Sequence, residues 1–248
     1  DLSIDLSHLE KLTEKQKPKA LILVSVLGLV PEMESIVNFC EENNIIIIED
    51  ACESLGSTYK GKNLGSFGLM SCFSTYYGHH ISTIEGGMIC TDDEEMFNLL
   101  KSLRSHGWDR DMHEEHSARL REEFSVDNDF ESLYKFYHFG FNVRSTDLQA
   151  FLGINQLGRL DEIVEKRNKN YNLYRSLLRN DFWEPPESTK DKYISNFAYP
   201  IISLKRGELV QKLKDNNIAA RPLICGSLGK QPFWIKKYGA THLRNADT

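Results

Sequence analysis

The chain has 248 residues, 40% of them hydrophobic, enough to bury the core of one large domain or of a large and a smaller one; a disordered or low-complexity chain is excluded. A formal charge of −6 and a pI near 5.8 argue against general binding to nucleic acid or to an anionic membrane, although a local basic pocket would not show in the total. The apolar runs are far too short to span a bilayer and the charged first residues carry no signal-peptide core, so a cytoplasmic location is expected. Five cysteines (Cys40, Cys52, Cys72, Cys90, Cys225), odd in number and without a CxxC pair, read as reduced thiols, not as a disulfide framework or a zinc knuckle.

In chain order, Leu-Ile-Leu-Val-Ser-Val from Leu21 is a buried-strand run, and Pro31 opens a helix with Met33, Ile36, Val37 and Cys40 at helical spacing, ended by Asn43 and Asn44. Ile45 to Ile48 is β-branched at every position and apolar on both faces, as a parallel strand covered by helices on both sides should be. The three segments form a β-α-β unit. Such units bind ligands beyond the carboxyl ends of their strands, so Glu49, Asp50 and the following Ala-Cys-Glu-Ser are the first place to look for chemistry.

Further strands are predicted around Leu69 to Phe73 and Met88 to Cys90, then a helix with Met96, Leu99, Leu100 and Leu103 on one face and His106-Gly107 as its stop. From Trp108 to His138 the chain is polar with little periodicity, a long excursion with one helical stretch that suits a substrate-covering or dimer-contact loop. Ser145 or Thr146 caps a helix through Leu148, Leu152 and Gln156; a longer helix carrying Leu160, Ile163, Val164, Tyr171, Tyr174 and Leu178 reads as a bridge between two domains. Beyond Pro185-Pro186, a strand near Phe197 to Ser203, a helix near Leu209 to Leu213 and a strand near Ile218 to Pro222 suggest a small α+β domain. The fold class is α/β, with residues 1–158 as part of a large domain and 159–248 as bridging helix plus small domain.

Ile-Ile-Glu-Asp-Ala-Cys-Glu-Ser-Leu-Gly (47–56), Gly-Lys-Asn-Leu-Gly-Ser-Phe-Gly (61–68), Glu-Gly-Gly (85–87), His106-Gly107, Gly-Phe-Asn-Val-Arg-Ser-Thr-Asp-Leu-Gln (140–149) and Arg-Pro-Leu-Ile-Cys-Gly-Ser (221–227) occur in this order. Through them the chain resembles the DegT/DnrJ/EryC1/StrS family of sugar aminotransferases and dehydratases. The resemblance implies the pyridoxal-phosphate-dependent transferase fold (aspartate aminotransferase type I), with a mostly parallel large-domain sheet and a small α+β C-terminal domain. It also implies a homodimer with its active site at the subunit interface. Against that family the chain reads as a fragment, starting inside the large domain and ending before the small one finishes.

The resemblance also assigns residues. Asp50 matches the acidic residue that pairs with the protonated pyridine nitrogen of the cofactor, Ser74 the phosphate-binding hydroxyl, Glu53 a side chain near the ring hydroxyl, and Asn142 the asparagine that reaches the neighbouring subunit's phosphate. Read without the family, Asp50 is a turn-capping residue and the other three are surface or capping groups.

In the aminotransferases of this family the residue six positions before Glu85 is the Schiff-base lysine; here it is His79. Histidine forms no stable Schiff base, so the resemblance implies pyridoxal phosphate held non-covalently, and chiefly pyridoxamine phosphate, with glutamate as amino donor. An imidazole, with an ordinary pKa of about 6.5, is mostly neutral at cytoplasmic pH and competent as a base, whereas a lysine near 10.4 is not. The implied reaction joins the cofactor's amine to the C4 ketone of a sugar nucleotide. His79 removes the C4′ proton and the C3 hydroxyl leaves, giving a 3-deoxy-4-keto sugar after hydrolysis.

Other readings of His79-His80 are a structural pair or metal ligands, but adjacent histidines in extended chain point to opposite sides, and no metal site is expected. His80 then supports the loop. A catalytically dead relative, an aminotransferase that recruits Lys60 or Lys62, and a non-catalytic sugar-nucleotide binder also stay open. The family's dehydratases with a His-His-Ile segment act on GDP-4-keto-6-deoxymannose, or on CDP-4-keto-6-deoxyglucose with an iron–sulfur cluster. A cluster needs four protein ligands, usually cysteines, and none lies between Thr91 and Ile224. The expectation is therefore no iron–sulfur cluster, with Cys52 a small buried residue, and a GDP-linked substrate on the way to a colitose-type 3,6-dideoxy sugar.

Overall fold

The β-branched and leucine-rich runs of the first half become strands, and the amphipathic segments between them become helices. The structure, a computed structural model, describes residues 2–178, 183–224, 226–243 and 246–247. Helix α1 (Leu6–Gln16), capped by the Asp5 carboxylate and unread in the sequence, precedes β1 (Ala20–Val24), α2 (Met33–Glu42) and β2 (Ile46–Asp50). A hairpin, β3 (Thr58–Tyr59) and β4 (Lys62–Asn63), leads to β5 (Met70–Ser74) and β6 (Gly87–Cys90).

The sheet order is β1-β2-β5-β6, the first three parallel and β6 antiparallel. Val24, Asp50 and Cys72 lie side by side in this register, so the carboxyl ends of three strands open on one edge. Helix α2 buries Met33, Ile36 and Cys40, while Leu23, Ile47 and Glu49 fill one face of the sheet. The other face departs from expectation. The Ile45 to Ile48 run is covered on one side only, leaving Ile22 68% and Ile46 47% exposed. Alternation along a strand sends Ile46 and Ile47 to opposite faces, and the packing of α2 covers just one of them.

Helix α3 (Glu94–Leu103) is capped by Asp93 and buries Asn98 and Ser102 most completely; Gly107, at φ +86°, donates to the Ser102 carbonyl and provides the expected stop. The excursion after Trp108 contains α4 (Glu114–Glu123) and the extra turn α5 (Asp129–Ser132), two helical stretches where one was expected. Thr146 caps α6 (Asp147–Leu157) in a full capping box with Gln149. Helix α7 (Leu160–Leu177) buries Tyr171, whose hydroxyl donates to the Pro186 carbonyl at 2.6 Å. Strand β7 (Lys192–Tyr193) joins the hairpin in a second sheet, β4-β3-β7.

Two compact units result: residues 1–177 with 185–199, and residues 178–184 with 200–248. Helix α7 therefore belongs to the larger unit, so the division falls later than the 158/159 boundary read from the sequence. The smaller unit contains α8 (Arg206–Asp215) and α9 (Pro232–Tyr238). The strands expected at 197–203 and 218–222 do not form among the described residues, and Ile201, Ile202 and Ile218 stay exposed. A strand needs a neighbour for its backbone N–H and C=O groups, and apolar composition does not supply one. Among the described residues no helix is long and apolar enough to cross a membrane.

Candidate active site

Strand β2 ends in two adjacent acids that alternation separates. Glu49 faces the core, fully buried, and accepts the backbone N–H groups of Gly65, Phe67 and Gly68 at 2.7, 2.6 and 2.9 Å. It is the clamp that folds the 61–68 segment under the sheet. A buried carboxylate is tolerated because each of these bonds replaces lost hydration. Asp50 faces the other way, half-buried, and its Oδ1 accepts the N–H of Cys52 at 3.1 Å. Of the two acids offered by the sequence, one is structural and the other is presented beyond the strand end.

The loop from Ser74 to Gly86 carries the candidate base. Thr75 and Thr83 close its neck through their hydroxyls, 2.6 Å apart, and through the Thr83 N–H to the Thr75 carbonyl. A Cβ on Gly86, whose φ is +151°, would come within 2.7 Å of both hydroxyls, so this neck requires glycine. Inside the loop the His79 Nδ1 lies 3.4 Å from Ser74 Oγ, which also accepts the Tyr76 N–H at 3.2 Å. The His79 ring packs against Phe197, centroids 5.0 Å apart, and against Tyr76 at 6.1 Å.

His80 turns inward. Its Nε2–H donates to the Ser195 carbonyl at 3.0 Å, which assigns the tautomer. Burial, reinforced by the nearby Arg167 charge, lowers its pKa to about 4, so it is neutral at physiological pH. The same 195–197 segment is held by Ser57, which donates to Gly28 O and accepts from Ser195 N, and by Arg167, which donates to the carbonyls of Asn196 and Phe197. These contacts place Phe197 beside His79. In the sequence Phe197 is read only as the start of a strand, and no local motif points to its place beside His79.

Glu53 accepts the N–H of Leu27 at 2.8 Å and so supports the tight 25–28 turn after β1, where Leu27 itself has φ +56°. Asn142 is exposed, in a backbone bridge with Ser105. Cys52 is half-buried and not alone: Cys72 is beside it on β5, its thiol 3.6 Å from the Glu49 carbonyl. Burial, with Asp50 adding to it, pushes both thiols above their ordinary range. Cys225 lies outside the described residues.

Sequence reasoning also passed over a cationic aromatic platform. The Arg110 guanidinium lies 3.9 Å from the Trp108 ring centre and 5.1 Å from that of Tyr134, and Arg144 lies 5.2 Å from Trp108. The interleaving of Trp108 with Arg110 was the available signal. The recruited-lysine alternative fares poorly, because Lys60 is paired with Glu34 at 2.7 Å, which raises its pKa, and Lys62 rests on the Phe67 ring.

A model of the DegT/DnrJ/EryC1/StrS aminotransferase family matches residues 1–248. The chain belongs to this family. It is 35% identical to GDP-4-keto-6-deoxy-D-mannose 3-dehydratase of Yersinia pseudotuberculosis over 97% of this chain and 61% of that protein. A solved structure of the Escherichia coli GDP-4-keto-6-deoxy-D-mannose-3-dehydratase with bound hydrated PLP superposes with TM-score 0.81 at 31% identity, covering 99% of this chain and 64% of that one. Another, of GDP-4-keto-6-deoxymannose-3-dehydratase with a trapped PLP-glutamate geminal diamine, gives TM-score 0.82 at 31% identity with the same coverage. This chain thus spans less than two thirds of the length of these relatives. Family membership carries the pyridoxal-phosphate-dependent transferase fold expected from the motifs.

The residues present fit such a cofactor. A carboxylate beyond a strand end suits a pyridinium nitrogen, and a serine hydroxyl at a tight turn suits a phosphate oxygen. The imidazole beside that serine stands where no lysine is available, since none lies between Lys62 and Lys101.

Proposed function

We propose that the whole protein removes the C3 hydroxyl from a 4-keto-6-deoxy sugar nucleotide, GDP-4-keto-6-deoxy-D-mannose, as a 3-dehydratase using pyridoxal and pyridoxamine phosphate with glutamate. The observation that carries this is His79 beside Ser74, in a loop with no lysine between Lys62 and Lys101. When bound, the cofactor supplies an amine for the sugar's C4 ketone and a ring that accepts electrons.

The chain's own residues do the rest. Asp50 keeps the ring nitrogen protonated, Ser74 and, from the neighbouring subunit, Asn142 hold the phosphate, and Glu53 orients the ring from its place against Leu27. If Ser74 accepts the Nδ1–H of His79, Nε2 is left as the bare lone pair that takes the C4′ proton. The resulting imidazolium then donates to the departing C3 hydroxyl. Phe197 limits ring rotation and shields the imidazole from water.

Trp108, Arg110 and Arg144 offer a stacking face and cationic donors, the chemistry a nucleoside diphosphate requires. Exposed apolar side chains on α6, Leu148, Phe151, Ile154 and Leu157, together with exposed Phe139, support a homodimer. Phe151→Glu separates the subunits on gel filtration in this reading; an unchanged elution volume removes α6 from the interface. The product belongs to colitose-type dideoxy-sugar biosynthesis in the cytoplasm.

The test is mass spectrometry of the sugar nucleotide after the full-length protein is incubated with GDP-4-keto-6-deoxymannose, pyridoxal phosphate and glutamate. A product one oxygen lighter supports 3-dehydration. An amino sugar rejects it in favour of aminotransfer, and no change moves the reading to the CDP-linked substrate or to a non-catalytic binder.

A further inference from the structure

Beside Asp50, the carboxyl ends of β2 and β5 carry two thiols, Cys52 and Cys72, that the proposed reaction does not use. Asp50 and Cys72 are cross-strand partners in the parallel β2–β5 pair and so share a face of the sheet. Cys52 folds back over them: its N–H donates to Asp50 Oδ1, and its sulfur lies 3.8 Å from the Cys72 carbonyl. As a result a carboxylate oxygen and two thiol sulfurs all lie within 4.8 Å of one another. All three residues are half-buried, between bulk water and the core.

We propose that Asp50, Cys52 and Cys72 form a binding site for a thiophilic divalent cation of the zinc class. A tetrahedral cation held by sulfurs at about 2.3 Å and an oxygen at about 2 Å places its ligand atoms roughly 3.5–3.8 Å apart. The cluster reaches that spacing by closing about 1 Å, within the reach of side-chain rotation. Two sulfurs and one oxygen select zinc or cadmium over magnesium or calcium, which take oxygen ligands. Binding releases one proton from each thiol, and the fourth coordination position is left for water. Three ligands differ from the four cysteines of an iron–sulfur cluster, so the site is a mononuclear one. A cation here occupies the carboxylate assigned to the cofactor's ring nitrogen, which makes it an inhibitor of cofactor loading.

Cadmium is the probe, because its bond to thiolate gives an ultraviolet charge-transfer band. The reduced full-length protein, dialysed free of cofactor so that the outcome is independent of the proposed reaction, is titrated with cadmium. The expected result is one equivalent bound with appearance of the band, loss of the band in Cys52→Ser and in Cys72→Ser, and its retention in Cys90→Ser, the exposed cysteine. A band that survives both of the first two substitutions, or vanishes with Cys90→Ser, overturns the site. If the serine variants fail to fold, thiol alkylation of the wild-type protein decides the matter. Cadmium then protects Cys52 and Cys72 together against alkylation, and equal labelling of either one with and without cadmium overturns the proposal.

Discussion

The imidazole of His79 and the ring of Phe197 face each other with centroids 5.0 Å apart, although Phe197 follows at the far end of α7 and β7. The contact depends on a set of backbone anchors: Ser57, His80 and Arg167 all bind the 195–197 segment. In the proposed reaction the base needs such confinement, because small misplacements of a reacting group slow a reaction steeply.

His79→Asn is expected to retain pyridoxal phosphate, followed by its absorbance after desalting, while dehydration falls by about 10³-fold or more, the usual scale for loss of a general base. Undiminished turnover removes His79 from the chemistry. His79→Lys should acquire a covalent link to the cofactor that borohydride reduction traps; no adduct would mean that position 79 does not face the aldehyde.

Arg110→Ala removes the cation lying on Trp108. If this platform holds the nucleotide, KM for the sugar nucleotide rises about tenfold or more with kcat nearly unchanged, the signature of lost uniform binding. Steady-state kinetics separate the two parameters, and a fall in kcat alone would place Arg110 elsewhere in the cycle.

Glu49→Ala orphans three half-buried N–H donors and should destabilise the fold by about 3 kcal/mol, with the midpoint of urea unfolding as the readout. Glu49→Gln, which keeps one acceptor oxygen, should lie between. An unshifted midpoint for Glu49→Ala would show that water replaces the clamp.

His80 links stability to acid. Its folded pKa, about 4, is below the ordinary 6.5 of the unfolded chain, so above pH 6.5 both states are neutral and the group has no effect on the balance. As pH falls from 6.5 to about 4 the unfolded chain takes up a proton that the native state refuses, and stability drops by about 3 kcal/mol in all. Unfolding measured at pH 7 and pH 4.5 should therefore differ less in His80→Gln than in the wild type. Equal differences would exclude His80 as the sensor.

Much of the architecture was legible because its signals are local. Pro31, the spaced Met33, Ile36 and Cys40, and the double asparagine bound α2 correctly, and Thr146 with Gln149 marks the start of α6. Asp50, Ser74 and His79 were proposed through motif likeness, and the structure brings Ser74 and His79 together. The strands expected near 200 and 220 failed because apolar composition reports burial preference and not the presence of a pairing edge.

What the amino-acid sequence determined by itself is chemical identity: which side chain stands at position 79, that no lysine lies between Lys62 and Lys101, and the ordered motifs that carry the family resemblance. Only tertiary structure decided that Glu49 is a clamp while Asp50 faces the other way, that Phe197 meets His79, and that Cys52 and Cys72 lie beside the Asp50 carboxylate. The reason is that periodicity and caps act over a few residues, whereas these contacts arise from strand register and loop closure across the chain.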